Sequence, residues 1–175
     1  AKLGKNLTLT GMMGVGKSTI GRALATRLKL EFIDIDKIVE IKEKSSIKEI
    51  FENKGEEYFR KIEKKISIEE IKKQNLVIAL GGGAFLDSVV RKEVKNSCIS
   101  FWLDLSIKLL LPRLKNNTKR PLLDRYKLEQ SANKIYSLRK KIYNESNFKI
   151  KCDILDKDAI VNKIINLYEI SRDKI

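Results

Sequence analysis

The chain has 175 residues, 42% hydrophobic and 34% charged, with a formal net charge of +14, and this length suits one domain with a substantial core. It contains no histidine, which excludes histidine-based catalysis and histidine metal sites. Each of the two cysteines, Cys98 and Cys152, lies in an apolar, strand-like run, so we expect reduced, buried thiols and no disulfide.

The excess of positive charge does not by itself indicate nucleic-acid binding, because the lysines are interleaved with glutamates. Residues 41–44 and 61–65 alternate the two charges as solvated helix faces do, although the excess would favour encounters with anionic small molecules. No stretch reaches the ~20 apolar residues of a membrane span, and no segment of signal-peptide type begins the sequence. We therefore expect a cytoplasmic monomer with no nucleic-acid or membrane partner.

The first predicted elements are a strand at 6–10 and a helix beginning at Lys17, with a glycine-rich loop between them. Residues 11–19 fit the pattern Gly-x-x-x-x-Gly-Lys-Ser/Thr of a phosphate-binding loop. Its glycines let several N–H groups turn toward one anion, and the helix adds its positive end. We expect nucleotide phosphates to bind at Gly14, Val15, Gly16, Lys17, Ser18 and Thr19. Lys17 would reach the terminal phosphates, and Ser18 would ligate the Mg²⁺ that bridges them.

The second predicted strand, 31–35, brings two carboxylates to its end, Asp34 and Asp36. Because alternate residues of a strand face the same side, both would reach the mouth of the sheet near the phosphate loop. One could hold Mg²⁺ through water and the other accept a hydroxyl proton. The alternative for either is helix N-capping, for which Asp36 is well placed.

A long crossover, 36–75, separates the second strand from the third. It has helical periodicity on both sides of Gly55, and an insertion of this length above a sheet is a plausible place for a second substrate. Arg60 lies within it and can bind a carboxylate or a phosphate bidentately. Glu56 and Glu63 are its alternative partners, as surface ion pairs.

The third predicted strand, 76–80, runs into three consecutive glycines at 81–83. A generic turn needs only one or two glycines, so we interpret the triplet as a place where a ligand approaches backbone N–H groups. The fourth predicted strand, 99–103, is followed by Asp104, which looks like the acidic end of a Walker B strand and is a second candidate for the metal.

A polar and basic stretch follows, and we interpret residues 113–127 as a lid, because closing such a segment would exclude water from a phosphoryl-transfer site. The alternative is an ordinary surface loop. The segment contains Arg113 and Arg120, and Arg139 lies on the helix after it. In that helix apolar residues recur at helical spacing: Leu128, Ala132, Ile135, Leu138 and Ile142.

Strands and helices thus alternate along the chain, and the last strand, 149–154, precedes a clear final helix. This alternation predicts an α/β fold in which helices cover both faces of a parallel sheet. No repeat or linker divides the chain, so we expect a single domain over 1–175 with the crossover as a substrate-binding insertion.

These motifs, in this order, resemble those of shikimate kinase, of the nucleoside-monophosphate-kinase-like branch of P-loop proteins. The likeness spans nearly the whole chain, with motifs at 11–22, 32–36, 51–63, 81–83, 120–123 and 139–143. It implies a three-layer α/β/α fold whose five-stranded parallel sheet has the order 2-3-1-4-5. It also implies transfer of the γ-phosphate of ATP, with Mg²⁺, to the 3-hydroxyl of shikimate.

The resemblance assigns acceptor binding to Asp36, Arg60, Gly82, Gly83 and Arg139. Asp36 would bind the acceptor hydroxyls and take the proton. The two arginines would grip the shikimate carboxylate, with Glu63 orienting Arg60. The two glycines would contact the ring hydroxyls through the backbone.

We take three residues as catalytic: Lys17, Asp36 and Arg120. On the nucleotide side, the resemblance gives the water-mediated Mg²⁺ contact to Asp34 and not to Asp104. Arg120 would stabilise charge on the transferring phosphate, and Arg113 would stack on adenine. Members of the family often add a proline from the loop after the last strand, but 152–158 contains none, which leaves the base contact there open.

Two other interpretations remain on the sequence alone. A kinase of another small hydroxy acid, such as gluconate, would share the loop and the fold, although the glycine triplet and the surroundings of Arg60 speak against it. The second interpretation is a nucleotide-binding switch or a nucleic-acid-associated ATPase. Residues 53–56, Asn-Lys-Gly-Glu, do not fit the Asn-Lys-x-Asp run of guanine switches.

Overall fold

The computed structural model describes residues 4–115 and 127–174, which form a five-stranded parallel sheet with helices around it. The strands are β1 (Asn6–Thr10), β2 (Glu31–Asp34), β3 (Leu76–Ala79), β4 (Cys98–Asp104) and β5 (Phe148–Lys151). Their order in the sheet is β2-β3-β1-β4-β5, which confirms the predicted α/β class and strand order.

Helices connect the strands. They are α1 (Lys17–Leu28), α2 (Ile35–Glu43), α3 (Ile47–Ile71), α4 (Ser88–Ser97), α5 (Ile107–Lys115), α6 (Leu128–Tyr143) and α7 (Lys157–Asp173), and a 3₁₀ turn spans Ala84–Leu86. Because neighbouring strands are parallel, each connection must cross back over the sheet. The carboxyl ends of all five strands therefore meet at one edge, where those of the predicted site residues that the structure describes converge.

The centre of the sheet is the most deeply buried part of the fold. All five residues of β1 are buried between β3 and β4, where Leu7 pairs with Val77 on one side and with Ile99 on the other. β3 is apolar throughout and fully buried, as expected of a parallel strand that is covered on both faces. The two edge strands, β2 and β5, keep exposed positions.

The long crossover folds as α2 and α3. Ser46 and Glu49 begin α3 with a capping box, in which each side chain accepts the backbone N–H of the other, at 3.2 and 2.8 Å. Gly55 interrupts α3 with φ 83° and ψ 167°, a conformation that favours glycine. The predicted break at this residue is confirmed.

The predicted apolar face of α6 is confirmed at Leu128, Ala132, Ile135 and Ile142, which lie in or against the core, but not at Leu138. Leu138 is 69% exposed, and the buried residues of this helix are Ala132, Arg139 and Tyr143. The expectation that Leu138 belongs to the apolar face is therefore wrong. The reason is that α6 turns a polar arginine and a tyrosine hydroxyl toward the glycine triplet, which periodicity of apolar residues cannot reveal.

Both cysteines are free and buried, as predicted. Burial raises the pKa of Cys98 to about 12 and that of Cys152 to about 11, so both remain protonated thiols near neutral pH. Within the described ranges, no helix combines the length and the apolar character that crossing a membrane requires.

The predicted lid, 113–127, is described only at its two ends. α5 continues through Pro112 to Lys115, so Arg113 lies on the last turn of a helix. Arg120 and its neighbours from 116 to 126 lie outside the described residues, and the lid stays a prediction.

Candidate active site

The loop between β1 and α1 wraps around the ammonium group of Lys17. Gly14 and Gly16 have φ of 82° and 104°, values that residues with a side chain rarely adopt. The Nζ atom of Lys17 donates to the carbonyl oxygens of Gly11 at 2.8 Å and Met12 at 3.0 Å. A positive charge thus lies at the centre of the loop, beside the N-terminus of α1, as phosphate binding requires.

The remaining predicted loop residues differ in exposure. Val15 is buried and contributes its backbone, whereas Thr19 is exposed on the first turn of α1. A cleft of about 500 Å³ opens beside the loop, lined among others by Gly14, Gly16, Lys17, Ser18, Thr19, Asp34 and Asp36. The structure therefore brings the loop and both aspartates to one cleft, whose lining does not include Asp104.

Asp34 joins the end of β2 to the phosphate loop. One of its oxygens, Oδ2, accepts the Ser18 hydroxyl at 2.6 Å, and the other, Oδ1, accepts the backbone N–H of Asp36 at 3.0 Å. The N-cap of α2 is therefore Asp34, and the alternative that Asp36 caps a helix is wrong. Asp34 both caps α2 and accepts the Ser18 hydroxyl, because a carboxylate has two oxygens that can each accept a different donor.

The Ser18 hydroxyl and the Asp34 carboxylate fit a magnesium ion. Both present oxygen ligands, which Mg²⁺ prefers, and they already lie within hydrogen-bond distance of each other. Across residues 4–115 and 127–174, no three acidic, cysteine or histidine residues cluster as ligands of a protein-only metal site. In the usual Mg²⁺ arrangement, one carboxylate and the substrate phosphates share the ion with water.

Two acidic side chains meet at the first glycine of the triplet. A Cβ atom built on Gly81 would lie 2.7 Å from Oδ1 of Asp36 and 2.8 Å from Oε2 of Glu63, so only glycine leaves room for both. Asp36 lies on the first turn of α2 and Glu63 on α3. The sequence singled out Gly81 only as a member of the triplet, because nothing local to a glycine indicates which distant side chains pack against it.

The other two glycines of the triplet each accommodate an arginine. A Cβ on Gly82 would lie 3.1 Å from Nη1 of Arg139, and one on Gly83 would lie 2.7 Å from Nη2 of Arg60. Neither glycine has a positive φ. The triplet is thus explained by the space that three converging groups of side chains require, in addition to any approach of a ligand to the backbone.

Arg60 is held by a buried carboxylate. Its Nη1 donates to Oε1 of Glu63 at 2.8 Å, and its Nη2 lies 3.5 Å from Oε1 of Glu56. The side chain of Glu63 is only 3% exposed. Burial raises the pKa of Glu63 to about 7 against the opposing pull of Arg60, and the negative charge of Asp36 adds to the rise. The alternative that Glu63 is a surface partner is wrong, and only Glu56 fits that description.

Arg139 is buried, with 6% of its surface exposed. Its Nη1 has no hydrogen-bond partner among the described residues. Tyr143, one turn further along α6, donates its hydroxyl to the carbonyl oxygen of Gly82. A buried guanidinium N–H without an acceptor is costly, so the arrangement suits an anionic ligand that would bind there. Tyr143 lies within the motif 139–143, but its role could not be derived from the sequence.

Arg113 lies behind the phosphate loop. It is exposed, and its Nη1 donates to the carbonyl oxygen of Val15 at 3.1 Å and lies 3.5 Å from that of Gly14. A positive charge at this position also acts on Cys152, at the end of β5, where it opposes the rise of the thiol pKa. Arg113 thus lies between the phosphate loop and the loop after the last strand.

Asp104 is engaged elsewhere. Its Oδ1 accepts the hydroxyl of Tyr136 at 3.0 Å, and its Oδ2 lies 3.4 Å from Nζ of Lys149. Both partners lie on the α6 and β5 side of β4. The second candidate for the metal is therefore bound within the fold, whereas Asp34 faces Ser18.

Comparison with known proteins identifies the family of this chain. A family model described as shikimate kinase matches residues 13–169. The chain is 41% identical over 164 residues to a shikimate kinase of Sulfurihydrogenibium sp., covering 92% of this chain and 96% of the relative. It is 37% identical over 161 residues to one of Persephonella marina, covering 92% and 97%.

A solved structure agrees with these relatives. It is described as shikimate kinase from Acinetobacter baumannii in complex with shikimate, and it superposes on this chain with a TM-score of 0.92 at 33% identity. The superposition covers 96% of this chain and 94% of that one. The resemblance inferred from the motifs is confirmed.

Proposed function

This chain belongs to the shikimate kinase family of ATP-dependent kinases, and from that premise we propose that it transfers the γ-phosphate of ATP to the 3-hydroxyl of shikimate. The observation that carries the proposal is the placement of two arginines, Arg60 and Arg139, against neighbouring glycines. Two guanidinium groups at one edge of the sheet would bind the carboxylate of the acceptor. The unpartnered Nη1 of Arg139 would then gain the acceptor that it lacks.

The nucleotide would bind with its phosphates in the loop at 14–19. Lys17 would contact the β- and γ-phosphates, and Ser18 would ligate Mg²⁺ directly while Asp34 holds it through water. Mg²⁺, when bound with ATP, neutralises charge on the phosphates. The exposed face of Arg113 would stack on the adenine ring.

Asp36 would act at the acceptor hydroxyl. In the reaction the 3-hydroxyl oxygen forms a bond to the γ-phosphorus, the bond from that phosphorus to the bridging oxygen of ADP breaks, and the hydroxyl proton passes to the Asp36 carboxylate. Gly82 and Gly83 would contact the acceptor through their backbone. Arg120, outside the described residues, would stabilise the charge of the transferring phosphate. Such a site works by positioning and charge neutralisation.

The alternatives are less well supported. The relatives and the solved structure reported above are shikimate kinases, so a gluconate kinase or a nucleotide switch is not favoured. A coupled assay of ADP release tests the proposal, with shikimate and gluconate as separate acceptors at equal concentration. We expect stimulation by shikimate alone. A rate with shikimate no higher than the acceptor-free rate would contradict the proposal.

We further propose that the chain works as a cytoplasmic monomer of one domain, with an acceptor-binding insertion at 36–75 and a lid at 113–127, and without a nucleic-acid partner. The pairing of surface lysines with glutamates supports the last point, as between Lys42 and Glu69 at 3.1 Å and between Lys54 and Glu43 at 3.1 Å. Light scattering after size exclusion tests the monomer. Titration with duplex and single-stranded DNA at two salt concentrations tests the absence of nucleic-acid binding.

A further inference from the structure

Asp104 ends β4 at a position where a Walker B strand would carry its metal-binding carboxylate. Its side chain is 15% exposed, and both of its oxygens have partners from within the fold. Tyr136 of α6 donates to Oδ1 at 3.0 Å, and Lys149 of β5 lies 3.4 Å from Oδ2. The same ammonium group lies 4.6 Å from the centre of the Trp102 ring. These contacts connect a helix to the carboxyl end of the sheet.

Three side chains of α6 lie on the same face of the helix. Tyr136, Arg139 and Tyr143 are spaced by three and four residues, which places them one above the other along the axis. Tyr143 is bonded to the carbonyl of Gly82, and Tyr136 is bonded to Asp104. Arg139 therefore lies between two tyrosine hydroxyls, each attached to the carboxyl end of a different central strand.

We propose that Tyr136 and Asp104 form a positioning contact, which holds α6 against the end of β4 and so aims Arg139 at the carboxylate of the acceptor. The proposal rests on the function proposed above. Tyr136 is a positioning residue, since it acts through Arg139. Asp104 ends its strand as a Walker B carboxylate does, but in this proposal it binds Tyr136 and does not bind the metal.

The position of Arg139 depends on its helix, because Tyr143, whose hydroxyl interacts with the Arg139 guanidinium, lies on the same helix. Its Nη1 has no hydrogen-bond partner in the described parts of the chain, so this nitrogen is not fixed by a protein acceptor. A displacement of α6 by a fraction of an ångström would move the guanidinium with it. Misplacement on that scale is enough to weaken a two-point contact with a carboxylate.

The protonation states suit a lasting hydrogen bond. Burial raises the pKa of Tyr136 to about 12, and the hydrogen bond and the negative charge of Asp104 add to the rise. The phenol therefore keeps its proton and remains a donor over the physiological range. Lys149 supplies the positive charge that offsets the carboxylate.

The test compares Tyr136→Phe with Tyr168→Phe. Tyr168 lies on α7 and donates its hydroxyl to the carbonyl oxygen of Lys5 at 2.8 Å, so it is a matched hydroxyl with no contact to the proposed site. We expect the KM for shikimate to rise about three- to tenfold in Tyr136→Phe, with the KM for ATP unchanged. Both constants should stay at the wild-type values in Tyr168→Phe. An unchanged KM for shikimate in Tyr136→Phe overturns the proposal.

Variants of Asp104 separate a positioning role from metal binding. They also test the contact without changing Tyr136, in case Tyr136→Phe fails to fold. Asp104→Ala removes the acceptor, so it should raise the KM for shikimate as much as Tyr136→Phe does. Asp104→Asn retains an oxygen that can accept a hydrogen bond from the Tyr136 hydroxyl, so it should have a smaller effect on the KM for shikimate. The Mg²⁺ concentration for half-maximal activity should stay unchanged in both. A higher Mg²⁺ requirement in Asp104→Asn, comparable to that of Asp34→Asn, overturns the proposal.

Failure of the proposed function itself looks different. In that case the wild-type protein would show no shikimate-dependent release of ADP, before any variant is made, and the positioning role would be overturned with it. If the wild-type protein is active and Tyr136→Phe matches it, only the positioning role fails.

Discussion

The proposed site has two halves, a donor half for ATP and an acceptor half for shikimate, and they are built in different ways. The donor half is one continuous segment, 11–19, in which the backbone and one lysine surround the space for phosphates. The acceptor half is assembled from α2, α3, α6 and the glycine triplet, which meet only in the folded chain. A phosphate can be recognised by a local backbone shape, whereas a hydroxylated carboxylic acid needs several side chains that converge from different elements.

The halves also differ in the charge they bury. The donor half keeps Lys17 beside the cleft, bonded to two backbone carbonyl groups. The acceptor half buries Glu63 and Arg139 almost completely. Buried charges without full pairing destabilise a fold, so we expect the acceptor half to cost stability and to be the more sensitive to substitution.

The largest expected effect separates chemistry from nucleotide binding. Asp36→Asn should lower kcat about 10²- to 10⁴-fold, because it removes the group that accepts the hydroxyl proton. Binding of an ATP analogue, measured by calorimetry, should stay at the wild-type affinity, since the loop at 11–19 is intact. Asp158→Asn, an exposed residue on the first turn of α7, is the control. Preserved turnover in Asp36→Asn would contradict its role as the base.

Substitution of a glycine tests how the acceptor half is assembled. Gly83→Ala would place a methyl group 2.7 Å from Nη2 of Arg60 and displace that guanidinium. The loss of one charge-assisted contact of about 1.5–3 kcal/mol predicts a rise of about 10- to 100-fold in the KM for shikimate, with little change for ATP.

Gly55→Ala is the matched control for this experiment. Gly55 has a positive φ, but a Cβ there would meet nothing within 4 Å. It should lower stability by about 1–3 kcal/mol through backbone strain and leave both KM values unchanged. If Gly83→Ala and Gly55→Ala affect the KM for shikimate equally, space for Arg60 is not the reason for the glycine.

The pH dependence of stability tests the buried charge of the acceptor half. The pKa of Glu63 rises from 4.5 to about 7 on folding, so the folded chain binds more protons than the unfolded chain within that interval. Stability should therefore fall as the pH rises from 4.5 to 7, by an amount on the order of 1–3 kcal/mol from this group.

Urea unfolding at pH 5 and pH 8 measures this contribution. Glu63→Gln should lose it, and Glu57→Gln, at an 89% exposed side chain on the same helix, should keep it. The same pH slope in Glu63→Gln and in the wild-type protein would mean that the buried carboxyl does not titrate in this interval.

The smallest expected effect lies on the donor side. Arg113 is exposed, and contacts of exposed charges are weak because water screens them. Arg113→Ala should raise the KM for ATP about two- to tenfold, since stacking of a guanidinium on a ring contributes about 0.5–1 kcal/mol at such sites and its bond to Val15 is also lost. The KM for shikimate should not change. An effect on shikimate alone would reverse the assignment of Arg113 to the donor half.

Part of the site was predictable because its signals are local. The phosphate loop, the strand end that carries Asp34 and Asp36, and the break at Gly55 each depend on residues close together in the chain. The order of the strands and the acceptor came from resemblance to a family, which uses the joint order of several motifs. Leu138 shows the limit of local signals, since its spacing fits the apolar face of α6 but its side chain is exposed.

By itself, the sequence determined the backbone pattern of a phosphate-binding loop and the α/β sheet that supports it. The backbone shape of a glycine-rich turn, and the periodicity of strands and helices, follow from local sterics and from the need to bury apolar faces. Neither depends on which distant residues will meet.

Tertiary structure alone decided what each glycine of the triplet accommodates, which of two carboxylates faces Ser18, and which side chains of α6 meet the ends of the strands. Asp34 and Asp104 both end strands and both looked suitable for a metal. Only the packing of β4 against α6 and β5 gives Asp104 its two partners, Tyr136 and Lys149. Contacts between residues far apart in the chain depend on where whole elements pack, and no local pattern specifies that placement.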